Sequence, residues 1–186
     1  MTMDFNASAG RLALFLAALA ALVACGDSDS EKAAEHYSAG TQFAAAGEWQ
    51  KAIAEFDESI RLNLDVAEPY ATRGAVYAEL GQFQHAIDDY DSAIRIGPDK
   101  ADVYYNRAVA HGALEELSQS ADDYRRAIEL DPRNADAFFH LGFIHTQLGQ
   151  RELAIDAFAQ ANLFHPRHSA PFLNRRIPYV PLPHLD

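Results

Sequence analysis

The chain has 186 residues, a length that usually corresponds to one domain. Its content of 49% hydrophobic and 23% charged residues is ordinary for a globular protein, and its formal net charge is −12. This acidity argues against nucleic acid as a partner, because phosphate binding requires a basic surface. The longest apolar run, 12–25, is shorter than the roughly 20 residues that a membrane-spanning helix needs.

Residues 1–24 have the layout of a secretory signal peptide, with a short leader followed by an apolar segment. The leader contains one basic residue, Arg11, and the following residues up to Ala24 are only Leu, Ala, Phe and Val. The apolar segment ends at Cys25, the only cysteine, which rules out a disulfide within one chain. Residues 25–32 are polar and predict a tether between this segment and the first helix.

The sequence Leu22-Val23-Ala24-Cys25 resembles the lipobox of bacterial lipoproteins. The resemblance implies a diacylglycerol thioether on Cys25, cleavage before this residue, and a further acyl chain such as palmitate on the new N-terminus. Two acyl chains anchor a protein stably, whereas one gives only marginal membrane binding. Gly26 occupies the position at which Asp retains a lipoprotein in the inner membrane, so the resemblance implies an outer-membrane protein that faces the periplasm. The alternative is a plain signal peptide with an incidental cysteine.

Four blocks of 34 residues follow one another without a gap, at 33–66, 67–100, 101–134 and 135–168. Positions 8, 20 and 27 of the blocks carry small residues, position 24 is aromatic, and position 32 is Pro in three blocks. The columns read Gly40, Gly74, Ala108 and Gly142; Ala52, Ala86, Ser120 and Ala154; Phe56, Tyr90, Tyr124 and Phe158; Ser59, Ala93, Ala127 and Ala161; and Leu64, Pro98, Pro132 and Pro166.

These columns predict two helices in each block. Small residues let neighbouring helices approach closely, and the aromatic residues fill the space between them. A glycine closes the first helix in three blocks, at Gly47, Gly81 and Gly149, whereas Glu115-Glu116 replaces the glycine turn of the third block and predicts a looser junction. Asn134 is a candidate N-cap. We expect eight helices, near 33–46, 49–62, 67–80, 83–96, 101–114, 117–130, 135–148 and 151–164.

The pattern of the columns resembles the tetratricopeptide repeat. The resemblance implies an all-α, right-handed superhelical solenoid of four helix–turn–helix repeats, with a concave groove lined by the first helix of each repeat. The groove residues that it implies are Tyr37, Thr41, Glu68, Ala75, Asp102, Tyr105, Val109, Asp136, Phe139 and Phe143. Tyr37 and Thr41 occupy positions where family members that clamp a terminal carboxylate carry Lys and Asn, so the sequence argues against such a clamp.

The predicted groove is small and apolar in its middle, with aromatic walls at Tyr37, Tyr105, Phe139 and Phe143 and an acidic rim. Aromatic residues on a concave surface are typical anchors for a partner. We therefore expect protein or peptide partners with apolar side chains, together with basic ones that meet the rim. The alternative is that some of these aromatic residues pack against neighbouring repeats.

Residues 169–186 break the repeat pattern, because four prolines prevent a long helix. The segment is apolar and contains the dibasic pair Arg175-Arg176. We consider that it folds back onto the last repeat or into the groove, or docks into another copy in a homodimer. The alternative is an unstructured tail.

No catalytic motif is present, and we predict neither enzymatic activity nor a cofactor. The acidic pairs Asp88-Asp89 and Asp122-Asp123 are expected on the solvated face of second helices. His165, His168 and His184 form only a loose cluster, so no metal site is predicted. The leading hypothesis is a lipid-anchored scaffold for periplasmic proteins. The alternatives are a periplasmic holdase or carrier for apolar peptides and a self-associating structural protein of the envelope.

Overall fold

The computed structural model describes residues 28–165, which form eight α-helices and no strand. Helix α1 covers 28–45. The helices that follow are α2 (Trp49–Leu62), α3 (Ala67–Glu79), α4 (Phe83–Ile96), α5 (Ala101–Ala113), α6 (Leu117–Leu130), α7 (Ala135–Gln147) and α8 (Arg151–Phe164). None of these helices combines the length and the hydropathy needed to cross a membrane. The prediction of an all-α protein built from helical pairs is confirmed.

The start of α1 differs from the sequence prediction. Residues 28–32, expected to belong to a polar tether, are helical, and Lys32 forms an ion pair with Asp29 at 3.6 Å, one turn away. Acidic residues near a helix N-terminus stabilise it through the helix dipole, so this segment suits a first turn. The predicted signal peptide at 1–24, the lipidation site Cys25 and the tail at 169–186 lie outside the described residues.

The turns inside the four helical pairs share one geometry. Gly47, Gly81 and Gly149 adopt φ values of +70 to +72°, and Glu115 adopts +61° at the equivalent point of the third pair. The next residue in each turn donates its backbone N–H to a carbonyl five residues earlier, as Glu116 does to His111 at 2.9 Å. The prediction of a looser junction in the third pair is wrong, although a left-handed non-glycine residue costs about 1–2 kcal/mol.

The chain divides into two compact units, one ending at Pro69 and the other beginning at Tyr70. In the first unit, α1 packs against α2 where Gly40 faces the Phe56 ring. The Ser59 hydroxyl donates to the Ala33 carbonyl at 2.7 Å, which satisfies a polar group in the interior. The small and aromatic columns of the first block therefore form its interior contacts.

The second unit contains α4 to α8 and most of α3. Its main apolar cluster joins α5, α6, α7 and α8, and includes Ala108, Tyr124, Leu141, Ile144 and Ala157. Consecutive helices from α4 to α8 pack against each other, and α7 begins with an N-cap at Asn134, whose side chain accepts the Ala137 N–H at 2.9 Å. The predicted N-cap is thus confirmed.

Two buried ion pairs lie inside the second unit. Arg73 donates to both oxygens of Asp89, at 2.8 and 2.7 Å, and Arg107 does the same to Asp123, at 2.7 and 2.6 Å. Asp89 is 5% exposed and Asp123 is 6% exposed. The expectation that these two carboxylates face solvent is therefore wrong, because the arginine one helix away compensates for their burial. The Asp123 hydrogen bonds hold the pKa of Arg107 above its ordinary value.

Candidate functional site

The ten predicted groove residues lie on first helices of the pairs. Tyr37 and Thr41 belong to the first unit, where the Tyr37 ring contacts Phe56 at 5.9 Å between centroids and the Thr41 hydroxyl donates to the Ser38 carbonyl at 2.8 Å. Glu68 lies on α3 just before the unit boundary and is exposed. The remaining seven lie on α3, α5 and α7 of the second unit, and are Ala75, Asp102, Tyr105, Val109, Asp136, Phe139 and Phe143.

Aromatic contacts join α5 directly to α7. The His140 ring lies 5.8 Å from Tyr105 and 5.6 Å from Phe139 between centroids, and is nearly perpendicular to both. Tyr105, Val109, Phe139 and His140 are each partly exposed, whereas Asp102 and Asp136 are exposed one turn before Tyr105 and Phe139. We call these six residues (Asp102, Tyr105, Val109, Asp136, Phe139 and His140) the α5–α7 surface.

Buried rings of the second helices, α6 and α8, pack against the α5–α7 surface. Tyr124 of α6 stacks on His140 at 5.7 Å with an interplanar angle of 11°, and meets Tyr105 edge-on at 5.6 Å. Phe158 of α8 contacts Phe139 at 5.6 Å. Tyr124 and Phe158 are buried, so they hold the partly exposed rings in place. A surface whose rings are already ordered loses little conformational entropy when a partner binds.

Asp136 makes the α5–α7 surface electronegative. Burial raises the pKa of Tyr105, and the Asp136 charge raises it further. Burial lowers the pKa of His140, and Asp136 opposes that effect without reversing it. Burial therefore favours the neutral form of the His140 imidazole, which is already the major form at pH 7 for an ordinary histidine. The Asp136 carboxylate thus acts on both rings while no positive charge on His140 offsets it.

The neighbouring part of the predicted groove, on α3, has a different character. Ala75 is small and partly buried, and Tyr90 of α4 is buried beneath the helix pair. Burial raises the pKa of Tyr90 most, and the charges of Asp89, Glu79 and Asp102 add to this effect. Ala71 of α3 occupies the block position of Tyr105 and Phe139, so the α3 part of the predicted groove has no ring at that position.

Phe143 corrects the sequence prediction. It is only 8% exposed and packs in a cluster with Ala154 and Phe158, against which Phe139 also packs. The residue therefore belongs to the interior of the α7–α8 pair, because the small side chain of Ala154 leaves room for its ring. The alternative that some groove aromatics pack within the repeats is correct for Phe143, while Tyr105 and Phe139 remain partly exposed.

His140 is the member of the α5–α7 surface that the sequence prediction missed. It follows Phe139 directly, at the sixth position of its block, where the other blocks carry Ser38, Thr72 and Asn106. The sequence indicates this only through the ring at position 6, which directly follows Phe139 where the other blocks carry a polar residue without a ring. Three other histidines contact side chains: His36 of α1 contacts Glu55 of α2, and His111 and His145, each in the last turn of its helix, contact Glu116 and Gln150 in the turns that follow. Between residues 28 and 165, no three or more His, Cys, Asp or Glu side chains are placed to hold a metal ion.

Comparison with known proteins identifies the repeat. Models of the tetratricopeptide repeat match residues 74–115, 112–149 and 136–167, which together span just over half of the chain. No curated protein sequence matches the chain. The first block, 33–66, lies outside the matched residues.

Three solved structures illustrate the similarity of this chain to tetratricopeptide repeat proteins. YrrB, described as a TPR protein with an unusual peptide-binding site, is 24% identical with a TM-score of 0.67, over 72% of this chain and 69% of that one. MamA (residues 41 to the end) from Desulfovibrio magneticus RS-1 is 23% identical with a TM-score of 0.68, over 73% and 77%. The first TPR domain of Spaghetti (RPAP3), bound to an HSP90 peptide, is 26% identical with a TM-score of 0.63, over 64% and 95%. The chain belongs to the tetratricopeptide repeat family.

Proposed function

We propose that the chain is a lipid-anchored scaffold that binds segments of partner proteins on the first helices of its repeats. The observation that carries the proposal is the α5–α7 surface, where the ordered rings of Tyr105 and Phe139 are partly exposed beside Asp136. Aromatic side chains supply contact area at low entropic cost, and a fixed carboxylate adds orientation. Such a surface suits an extended or helical polypeptide better than a small metabolite.

The structural neighbours support peptide binding as the activity of this surface. YrrB is described as having a peptide-binding site, and the Spaghetti domain is bound to the HSP90 peptide SRMEEVD. That peptide is acidic, and the α5–α7 surface, which carries Asp102 and Asp136, would repel an acidic peptide. The partner of this chain therefore differs in charge from the HSP90 peptide.

The proposed location follows from the lipobox-like sequence at 22–25. Lipidation at Cys25 would anchor the protein to the periplasmic face of the outer membrane, with the helical repeats beyond it. Metabolic labelling with a palmitate analogue, followed by membrane fractionation, tests this part. We expect the label and the membrane association to disappear in Cys25→Ser, while a Ser28→Ala control keeps both. Equal labelling of the two variants would refute the anchor.

Site-specific photo-crosslinking in intact cells tests the binding function. A photoreactive phenylalanine analogue at Val109 lies on the α5–α7 surface, and the same group at Asp122 occupies an exposed position on α6. A scaffold should give a few discrete adducts from Val109 and none from Asp122, and mass spectrometry would identify them. A broad smear from Val109 would indicate a holdase or carrier instead, and an adduct with a second copy would indicate self-association. Adducts no stronger from Val109 than from Asp122 would contradict the proposal.

A further inference from the structure

We infer that the α5–α7 surface selects a polypeptide segment in which an arginine side chain lies among apolar residues. This inference rests on the proposed function, and names the chemistry of the segment that the surface binds. The arginine is bound by the Asp136 carboxylate and by the rings of Tyr105 and Phe139. Neighbouring apolar side chains of the segment contact Val109 and the remaining ring surface.

The arrangement of the rings favours a planar cation. The His140 ring contacts both Tyr105 and Phe139, with interplanar angles of 73° and 80°, so the rings of α5 and α7 meet in one aromatic group. Guanidinium groups stack on aromatic faces and bind carboxylates through two parallel hydrogen bonds. A site that offers both an aromatic face and a carboxylate therefore suits arginine better than a neutral polar side chain.

The charge distribution points the same way. The described residues 28–165 contain 24 acidic and 11 basic side chains. Asp102 and Asp136 both lie in the first turn of their helices and are exposed, and the Asp136 charge reaches Tyr105 and His140. A cation placed against these rings meets negative potential without a charged histidine to repel it. An acidic segment would be repelled at the same place.

A segment of the required composition occurs in the same chain. Residues 171–182, outside the described residues, read Pro-Phe-Leu-Asn-Arg-Arg-Ile-Pro-Tyr-Val-Pro-Leu and place Arg175-Arg176 between apolar residues. A peptide of this sequence is therefore a suitable probe. The receptor is the full chain carrying Arg175→Gln and Arg176→Gln, so that its own arginines cannot compete.

Fluorescence anisotropy with two labelled peptides tests the inference. One peptide has the sequence 171–182, and the other has glutamine in place of both arginines. We expect the arginine peptide to bind at least about tenfold more tightly, since one good charge-assisted contact contributes about that factor. Asp136→Asn should weaken it about fivefold to tenfold, and Asp156→Asn, a matched charge removal at an exposed site on α8, should change it less than twofold.

A second pair of variants separates ring contact from folding. Tyr105→Leu should lose about fivefold in affinity for the arginine peptide, whereas Phe83→Leu, a matched ring removal at a partly exposed site on α4, should bind it like the parent chain. Circular dichroism would confirm that both variants are folded. Equal affinity for the two peptides, equal effects of Asp136→Asn and Asp156→Asn, or no binding of the arginine peptide would each overturn the inference. Discrete crosslinks from Val109 in cells would still uphold the proposed function in those cases.

Discussion

Helix pairs α5–α6 and α7–α8 have the same architecture around different interiors. At positions 7 and 23 of the block, the first pair carries Arg107 and Asp123, joined by two hydrogen bonds. The second pair carries Leu141 and Ala157, both buried in the apolar cluster. The same helix packing therefore accommodates either a buried ion pair or an apolar contact. What the two pairs share is the small residues at positions 8, 20 and 27, which set how closely the helices approach.

The exposed position of the two pairs stays aromatic although their interiors differ. Tyr105 and Phe139 occupy the same position of the two blocks and both contribute to the α5–α7 surface, although the first helix pair contains an ion pair and the second an apolar contact. The interior of a helix pair can therefore change from repeat to repeat while the exposed position stays aromatic.

The largest expected effect comes from breaking the ion pair of α5–α6. Asp123→Ala removes both hydrogen bonds to the largely buried Arg107 guanidinium. Loss of one partner of a buried pair costs about 3–5 kcal/mol, and we expect about 3 kcal/mol because Asp91 still contacts Arg107. Urea unfolding measures the change.

Two controls accompany this variant. Asp122→Ala removes an exposed ion pair with Arg125 and should cost less than about 1 kcal/mol. The double variant Arg107→Leu/Asp123→Ala copies the α7–α8 pair and should recover most of the loss, because an apolar contact of similar volume often replaces a buried ion pair. A double variant that is less stable than Asp123→Ala would show that the two interiors are not interchangeable.

The next effect concerns the close approach of helices in α7–α8. A Cβ at Gly142 would lie 2.9 Å from the Phe158 ring, which is 1% exposed and has no room to move. Gly142→Ala should therefore lower the free energy of unfolding by about 1–3 kcal/mol. In α5, a Cβ at Gly112 would meet Ser120 Oγ at 3.4 Å and Ile144 Cδ1 at 3.7 Å, both ordinary contact distances. Gly112→Ala should leave stability unchanged or raise it by up to about 1 kcal/mol through better helix propensity. Thermal unfolding of the two variants compares them, and equal losses would contradict the packing described.

A smaller effect is a pH dependence that arises at position 6 of the fourth block and not at the same position of the third block. Burial lowers the pKa of His140 in the folded protein, whereas the equivalent residue of α5 is Asn106. The unfolded chain binds the proton more readily, so stability is complete above the unfolded pKa of about 6.5 and falls as pH decreases toward the folded pKa. One proton gives a slope of at most about 1.4 kcal/mol per pH unit. His140→Phe, which keeps a ring on Tyr124, should flatten urea-unfolding stability between pH 7.5 and 5.5. An unchanged slope would show that other groups cause it.

The sequence predicted the helices well because their boundaries depend on local residues. Glycine turns, the Asn134 N-cap and prolines after second helices act within one or two turns of the chain, and the 34-residue period repeats them. Contacts between helices were harder to predict. Asp89 and Asp123 look like solvent-facing residues until the arginine sixteen residues earlier is placed beside them. Phe143 stands at a groove position in the sequence, but it packs against Ala154 and Phe158 in the structure. Glu115 adopts the left-handed backbone conformation that its residue type disfavours.

The central claim is that a polypeptide binds on the α5–α7 surface, and amide chemical-shift mapping tests it most directly. The isotope-labelled chain with Arg175→Gln and Arg176→Gln would be titrated with the peptide of sequence 171–182. We predict that the largest shift changes fall on Tyr105, Val109, Phe139 and His140, with small changes in α6 and α8. Changes that are largest on α6 and α8, or spread evenly over the described helices, would contradict it.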